Sequence, residues 1–425
     1  MNRSGRSGVA GRCGAVLLGA LLAGCQVGPE AEETNGEELS PTETSLAALK
    51  PPHPAPLARS GPAVAYGDGK YLTVWNDERT GGVYGTRIRR DGTVLDPEGI
   101  RINIGDGAPG SGRPAVAFNG THFFVVWNHS DGVDGVRVKP DGTVVGPVFR
   151  LIQTDESFNP VGVACSPKVC VVTFTIAGDS ETVIFFVRVT KNGVVIHDPT
   201  RTLSSFPNFA GDAAVTWNNK RKEFLVVWSD EHGAGSGHED IHGNRVAEDG
   251  TILDGHGFPI STAIGAQLTP DVTWTGQRYH VVWSDNRNGS PDIFGARVYG
   301  NGTVEDTDGI PISTATGAQT EPRIAHHNSK SLVVWDDKRT GVHRIFGARV
   351  GEDGVVWDPT GFAISQGDKP QEFLPDVAYG GGQFFTAYAG AEAILPLEPH
   401  FILGTRVNHQ AEVKDSPALP LTREP

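Results

Sequence analysis

The sequence predicts an all-β protein in which one four-stranded unit is repeated seven times. In five units a Pro stands thirteen residues before an aromatic residue, and two further units carry looser copies. An Arg-Val or Arg-Ile pair follows in every unit. The Pro and aromatic positions are Pro62 and Trp75, Pro114 and Trp127, Pro160 and Phe174, Ala213 and Trp228, Pro270 and Trp283, Pro322 and Trp335, and Pro375 and Tyr388. Self-similarity at a period of about 52 residues indicates a repeat architecture, which takes precedence over any other fold assignment.

Each unit divides into strands a, b, c and d. Strand b is apolar without alternation, as in the run from Phe123 to Trp127, and such a run is typical of a strand covered on both faces. The Arg lies on strand c, and four residues later an Asp-Gly or Asn-Gly pair predicts a tight hairpin turn to strand d. Only the seventh unit lacks this pair and has Gln410-Ala411 instead.

One four-stranded sheet cannot cover both of its own faces, but sheets stacked face to face in a ring can. The repeat resembles that of β-propeller proteins, and the resemblance implies a seven-bladed β-propeller of four-stranded antiparallel blades over residues 57–422. A β-helix is the structural alternative, but its rungs are much shorter. The Gly-His to Trp-Asp pattern of WD40 blades, the kelch double glycine and the sialidase box are all absent. No active residues therefore carry over from those families.

The charge of the chain argues against nucleic-acid binding. It has 36 basic and 50 acidic residues, for a net charge of −14. A surface of this sign repels phosphate backbones and anionic lipids.

The first 25 residues predict export and lipid anchoring. Arg3, Arg6 and Arg12 precede a short apolar stretch from Ala15 to Leu22, which is typical of a signal peptide. It ends in Leu-Ala-Gly-Cys25, which resembles the bacterial lipobox. The resemblance implies acylation of the Cys25 thiol, for example with palmitate, and cleavage before it. An ordinary secretory signal that happens to contain Cys is the alternative.

The residues after Cys25 predict a tether. Residues 26–56 are rich in Glu and then in Pro, a composition that cannot bury enough apolar surface to fold. Loss of the signal peptide leaves 33 basic residues against 50 acidic ones, a charge of −17. Gln26, rather than Asp, follows the acylated Cys, which favours the outer membrane of the cell envelope over the inner.

Several units carry an acid two residues after the strand-b aromatic, and we interpret these acids as structural. Counting across the b–c hairpin places the acid opposite the Arg of strand c, as a cross-strand ion pair. A residue that recurs around a ring is more often scaffold than active site. The predicted pairs are Asp77 with Arg87, Asp285 with Arg297, and Asp337 with Arg349.

The fourth unit departs most from the repeat. Its b–c loop, from Glu231 to His242, contains His232, His238 and His242 together with three carboxylates. Imidazole and carboxylate groups ligate zinc and similar metals, so this loop is a candidate metal site. A flexible polar loop is the alternative interpretation.

Two cysteines flank the third a–b turn. Once Cys13 is removed and Cys25 acylated, Cys165 and Cys170 are the remaining thiols, and an exported protein can form a disulfide between them. Two reduced, buried thiols are the alternative.

These observations favour a lipid-anchored binding or scaffold protein that presents the face built from the b–c and d–a loops to an envelope protein or glycan. A propeller hydrolase or lyase acting on polysaccharide is the rival, and it requires an asymmetric set of carboxylates, Tyr or His at the centre of the ring. A multivalent lectin with equivalent pockets between blades is a third hypothesis, which the scatter of loop lengths disfavours.

Overall fold

The fold is a seven-bladed β-propeller, which confirms the prediction. The computed structural model describes residues 61–77, 81–103, 112–129, 131–153, 157–177, 182–204, 210–231, 238–392 and 400–422. These residues form seven four-stranded antiparallel sheets, each ordered a-b-c-d. No helix capable of crossing a bilayer occurs among them. The predicted signal peptide, Cys25 and the tether lie outside the described residues.

The strands are numbered along the chain. Blades 1 to 4 contain β1 (Ala63–Gly67), β2 (Lys70–Asp77), β3 (Gly82–Arg89) and β4 (Ile100–Arg101); β5 (Ala115–Phe118), β6 (Phe123–His129), β7 (Gly132–Val138) and β8 (Val144–Gln153); β9 (Ser157–Cys165), β10 (Val169–Ala177), β11 (Thr182–Thr190) and β12 (Val195–Thr202); and β13 (Ala210–Asn218), β14 (Glu223–Asp230), β15 (Asp240–Ala247) and β16 (Phe258–Ser261). Blades 5 to 7 contain β17 (Gln267–Trp274), β18 (Arg278–Asp285), β19 (Asp292–Tyr299) and β20 (Ile310–Ser313); β21 (Gln319–His327), β22 (Lys330–Asp337), β23 (Arg344–Gly351) and β24 (Phe362–Ala363); and β25 (Gln371–Gly380), β26 (Gln383–Ala391), β27 (His400–Val407) and β28 (Leu419–Pro420).

Side chains close the ring between blade 7 and blade 1. The a strands contact one another in sequence, and β25 contacts β1, so the a strands surround the axis. All four strands of blades 1 and 7 come from consecutive parts of the chain, so neither blade borrows a strand from the other end. Instead the Tyr71 hydroxyl donates to the Gly380 carbonyl at 2.6 Å, and its ring packs on Phe385. Closure therefore depends on packing and on such cross-blade hydrogen bonds.

The core lies between adjacent blades and is built around the strand-b aromatics. Trp127, Trp228, Trp283 and Trp335 are fully buried, and Trp75 is nearly so. Seven of the eight apolar clusters among the described residues combine side chains of two neighbouring blades, as expected for b strands covered on both faces.

The recurrent arginines of strand c link neighbouring blades. Arg87 forms a two-point ion pair with Asp96, nine residues later, and also donates to the Pro140 carbonyl of blade 2 at 3.2 Å. In blade 7, Arg406 pairs with Asp415 and donates to the Arg90 carbonyl of blade 1 at 3.1 Å. A guanidinium has enough donors to grip a carboxylate and a carbonyl at once.

The structure corrects the ion pairs predicted across the b–c hairpins. Arg87 lies opposite Leu72 rather than Asp77, Arg297 opposite His280 rather than Asp285, and Arg349 opposite Leu332 rather than Asp337. These arginines pair instead with Asp96, Asp306 and Asp358. The prediction placed each turn at the midpoint between acid and Arg. In the structure the hairpin turns closer to the acid, so the two residues are separated along the strands.

The repeated acids at the end of strand b have a different function. The Asp285 carboxylate accepts from Trp283 Nε1 at 2.8 Å and pairs with Arg287 at 2.6 Å. Asp337 does the same with Trp335 and Arg339. Asp285 and Asp337 thus each fix the indole of their own strand b and anchor the start of the b–c loop.

One cross-strand position beside the a–b turn shows how blade 3 differs. In five blades it holds two aromatic rings, for example Trp274 and Tyr279 at 4.7 Å. Blade 3 has Cys165 opposite Cys170, and the structure joins them in a disulfide. The covalent link occupies the position where those five blades pack two aromatic rings together.

Reduction of this disulfide is expected to lower the free energy of unfolding by about 2 kcal/mol. Opening a loop of six residues returns little chain entropy to the unfolded state, so the effect is near the lower end of the usual range. Urea denaturation with and without dithiothreitol measures it. The double variant Cys165→Ala and Cys170→Ala should show no dependence on reductant, and a similar reductant effect in that variant would contradict the assignment.

Candidate functional site

The central channel has a charged section near the starting ends of the a strands. Its cavity volume is about 380 Å³. Because each a strand follows a d–a loop, this section lies toward the face built from the b–c and d–a loops. The polar side chains that line it are Arg113, Asp212, Thr269, Asp271, Glu321, Arg323 and Asp376.

An unusual backbone conformation presents some of these side chains. In blades 4 to 7 the pairing of strands a and b is interrupted at equivalent points, as between Leu268 and Asp271. One residue of each interruption has a positive φ: Asp212 at 54°, Thr269 at 52°, Glu321 at 56° and Leu374 at 53°. The last three each precede a Pro, where this conformation is further disfavoured. Backbone strain of this kind is concentrated at functional sites in proteins.

The residues at these positions differ from blade to blade, unlike the scaffold residues. Blades 1 and 2 have Gly61 and Arg113 at the position that has a positive φ in blades 4 to 7. Two residues later, seven equivalent positions hold Ala63, Ala115, Gly162, Ala214, Asp271, Arg323 and Asp376. The charged groups therefore come mainly from blades 2 and 4 to 7, and the site is asymmetric within a nearly symmetric ring.

Two of the carboxylates also join neighbouring blades. Asp271 Oδ2 accepts from the Ile324 amide at 2.8 Å, and Asp376 Oδ2 accepts from the Val64 amide at 2.7 Å. Asp376 thereby contributes to the closure between blades 7 and 1. These two acids have a structural function whatever the channel binds.

Arg113 crosses the same closure. Its Nε donates to the Pro62 carbonyl and its Nη2 to the Pro375 carbonyl, both at 2.8 Å. Its Nη1 is buried and has no hydrogen-bond partner among the described residues. Burial, together with the nearby Arg323, lowers the pKa of Arg113 to about 10, so the guanidinium remains charged at neutral pH.

Burial changes the acidity of two channel carboxyls. It raises the pKa of Asp212 to about 6, and the Glu321 carboxylate adds to the shift. Burial likewise raises the pKa of Asp271 to about 6, and Arg323 opposes that shift. Glu321 pairs with Arg323 at 3.2 Å. Carboxyl groups with raised pKa values in a cleft are candidates for function.

The chemistry of this site favours recognition by hydrogen bonds and charge. Four carboxyl groups offer acceptors and two guanidinium groups offer donors in one cavity, and no aromatic ring is among its lining residues. A cavity of this size admits a sugar unit or a long amino-acid side chain.

The structure describes only part of the predicted metal site. His232 lies outside the described residues. His238 is exposed just before β15, whereas His242 is buried within β15 opposite Trp228. No cluster of three or more His, Cys, Asp or Glu side chains with metal-binding geometry occurs in the described part of the chain. Zinc binding at this loop stays a prediction.

Sequence reasoning missed the channel residues because it sought chemistry in the longest loops. The signal was present in the repeat itself, at the two positions directly before and directly after the strand-a Pro. At these positions charged residues replace small or apolar residues of other units, and they are Arg113, Asp271, Glu321, Arg323 and Asp376.

Comparison with known proteins assigns this chain to no family. No family model and no curated protein matches the sequence. Similar solved structures include puromycin hydrolase, 14% identical over 87% of this chain and 55% of that chain, with a TM-score of 0.49. A thermostable family-43 glycoside hydrolase is 10% identical over 73% and 93% of the two chains, with a TM-score of 0.42. An alpha-L-arabinofuranosidase from Lactobacillus brevis is 11% identical over 57% and 89%, with a TM-score of 0.38. Likeness at this level carries no argument about activity.

Proposed function

We propose that this β-propeller is a binding protein whose ligand enters the central channel from the side of the b–c and d–a loops. The observation that carries the proposal is the asymmetric ring of charged side chains on a strained backbone. Contacts between blades account for Asp271, Asp376 and Arg113, but they do not explain why blade 6 adds a further charge of each sign through Glu321 and Arg323. A glycan or a segment of an envelope protein supplies the matching hydroxyl, amide or charged groups.

The proposal includes the cellular location. Acylation of Cys25 would hold the protein in the cell envelope, with the outer membrane favoured, and residues 26–56 would separate the propeller from the lipid.

A hydrolase or lyase acting on polysaccharide is the second candidate. The observation that favours it is the pair of carboxyls, Asp212 and Asp271, whose pKa values of about 6 suit proton transfer near neutral pH. Incubation of the full chain with envelope polysaccharides, followed by a reducing-sugar assay and by absorbance at 235 nm for unsaturated products, would detect either reaction. Turnover abolished in Asp212→Asn would favour the enzyme.

Asp212→Asn is expected to weaken ligand binding at least tenfold and to stabilise the protein at pH 7. The folded-state pKa of Asp212, about 6, lies above the ordinary value of 3.8. The contribution of the protonated Asp212 side chain to the free energy of unfolding is therefore fully present below pH 4, and it is lost as the pH rises through 6. At pH 7 the buried charge costs about 1–3 kcal/mol, which the amide removes. Asn also accepts positive φ readily, so the backbone is preserved.

Asp68→Asn is the matched control. Asp68 also has a positive φ, of 46°, but it is exposed in the a–b turn of blade 1. The full-length protein in detergent is screened on an array of envelope glycans and by pulldown of envelope proteins, and the hit is titrated against both variants. Unfolding is followed at pH 4 and pH 7. Unchanged affinity in Asp212→Asn together with a lower stability at pH 7 would make the channel charge structural and refute the proposal.

A further inference from the structure

A second cavity lies on the opposite face of the ring, between blades 4 and 5. Its volume is about 390 Å³, and we call it the turn-face groove. It is lined by Lys220, Arg221, Trp274, Gly276, Gln277, Tyr299, Gly300 and Asn301. These residues belong to the a–b turns of blades 4 and 5 and the c–d turn of blade 5.

The blade 4 wall of the groove is a departure from the repeat. Six residues separate the paired Trp217 and Phe224, whereas four separate the equivalent pair, Trp274 and Tyr279, in blade 5. The other five blades also have four residues at this position. The longer turn carries three consecutive basic residues, Lys220 to Lys222, all exposed.

The blade 5 wall departs in a complementary way. Gly300 precedes the Asn-Gly turn pair, where the other blades have Arg, Pro, Lys, Glu, Glu and His. A Cβ atom at Gly300 would lie 2.5 Å from Cδ of Arg221. Only Gly at this position lets the Arg221 side chain lie across the blade 5 backbone, so the two departures fit each other.

Two aromatic rings are held in place at the groove. Trp274 packs on Tyr279 at 4.7 Å, and its Nε1 donates to Asn219 Oδ1 at 3.2 Å. Tyr299 is 39% exposed, and the Arg278 guanidinium lies 4.7 Å from its ring centre. Fixed, partly exposed rings lose little entropy when a ligand packs against them.

The charged side chains that line the groove are positive, whereas the net charge of the whole chain is negative. Lys220 and Arg221 line the groove, and no carboxylate does. Arg221 uses Nε to contact Glu223 at 3.1 Å, and within the described residues its terminal nitrogens Nη1 and Nη2 make no hydrogen bond. Two donor nitrogens therefore remain available for an anion.

We infer that the turn-face groove binds an acidic sugar unit, carrying a carboxylate or a phosphate. The aromatic rings contact the C–H face of the sugar, and Lys220 and Arg221 bind the anionic group. This inference stands independently of the channel, because no residue is shared between the two sites. A glycan bearing uronic acids and a sugar phosphate share this chemistry, and the test separates them.

Isothermal titration of the full chain with trigalacturonic acid, glucose 6-phosphate and neutral maltotriose tests the inference at low salt. We expect binding of at least one anionic probe, no binding of maltotriose, and weaker binding as salt rises. Lys220→Ala combined with Gly300→Ala, which displaces Arg221, should reduce affinity at least tenfold. Tyr299→Ala should also reduce it.

Lys191→Ala provides the matched control, since Lys191 is exposed on the same face in blade 3. It should leave affinity unchanged. Failure of both anionic probes to bind, or an equal loss in Lys191→Ala, would overturn the inference. Melting curves of each variant exclude unfolding as the cause of a loss.

Discussion

Asp285→Asn is expected to lower the free energy of unfolding by about 3–5 kcal/mol. The Asp285 carboxylate is fully buried and accepts hydrogen bonds from the Trp283 indole and from Nε, Nη2 and the amide of Arg287. An amide has one acceptor oxygen and no charge, so it leaves the Arg287 guanidinium without its counter-ion in a mostly buried position. Urea denaturation followed by tryptophan fluorescence measures the loss.

Asp308→Asn is the control for this substitution. Asp308 is exposed, and it contacts Arg287 through its backbone carbonyl, which the substitution keeps. Its effect should be within about 0.5 kcal/mol, as for most surface changes. A loss below about 1 kcal/mol in Asp285→Asn would show that the acid, the indole and the guanidinium do not act as a buried unit.

Trp335→Ala is expected to cost about 3–5 kcal/mol through the cavity it leaves. Trp335 is fully buried in a cluster that includes Ile312 and Ile324, so its ring fills the space between blades 5 and 6. The substitution also removes the donor that Asp337 accepts from at 2.8 Å. Thermal and urea unfolding should both report the loss.

Trp357→Ala is the control for Trp335→Ala, because it removes an indole that is partly exposed rather than buried. Trp357 is 40% exposed, and the Lys330 ammonium lies 4.6 Å from its ring centre. A cation–π contact at such a site contributes about 0.5–1 kcal/mol, so we expect a cost of about 1 kcal/mol. Equal costs in the two variants would contradict the assignment of the strand-b Trp residues as the inter-blade core.

The location of the charged groups also bears on how stability and function are divided in this propeller. The acids that end strand b are satisfied by local donors, and the arginines of strand c grip the next blade. Asp212 and Asp271 instead carry raised pKa values in the channel, where ionisation opposes folding at neutral pH. Groups that cost stability persist where function requires them.

The amino-acid sequence by itself determined the blades, because their signals are local. The Pro-to-aromatic spacing, the apolar strand-b runs and the Asp-Gly pairs act over a few residues, and their repetition predicted seven units with the Trp residues at equivalent buried sites. The register of the b–c hairpins was harder to predict, because the spacing between Asp285 and Arg297 does not show where the turn closes. Closure of the ring alone brings Arg113 together with Asp212 and Glu321, which lie up to about two hundred residues apart in the chain. Likewise, Gly300 accommodates Arg221 only after blades 4 and 5 pack. Contacts between blades depend on the curvature of the whole ring, which no local pattern encodes.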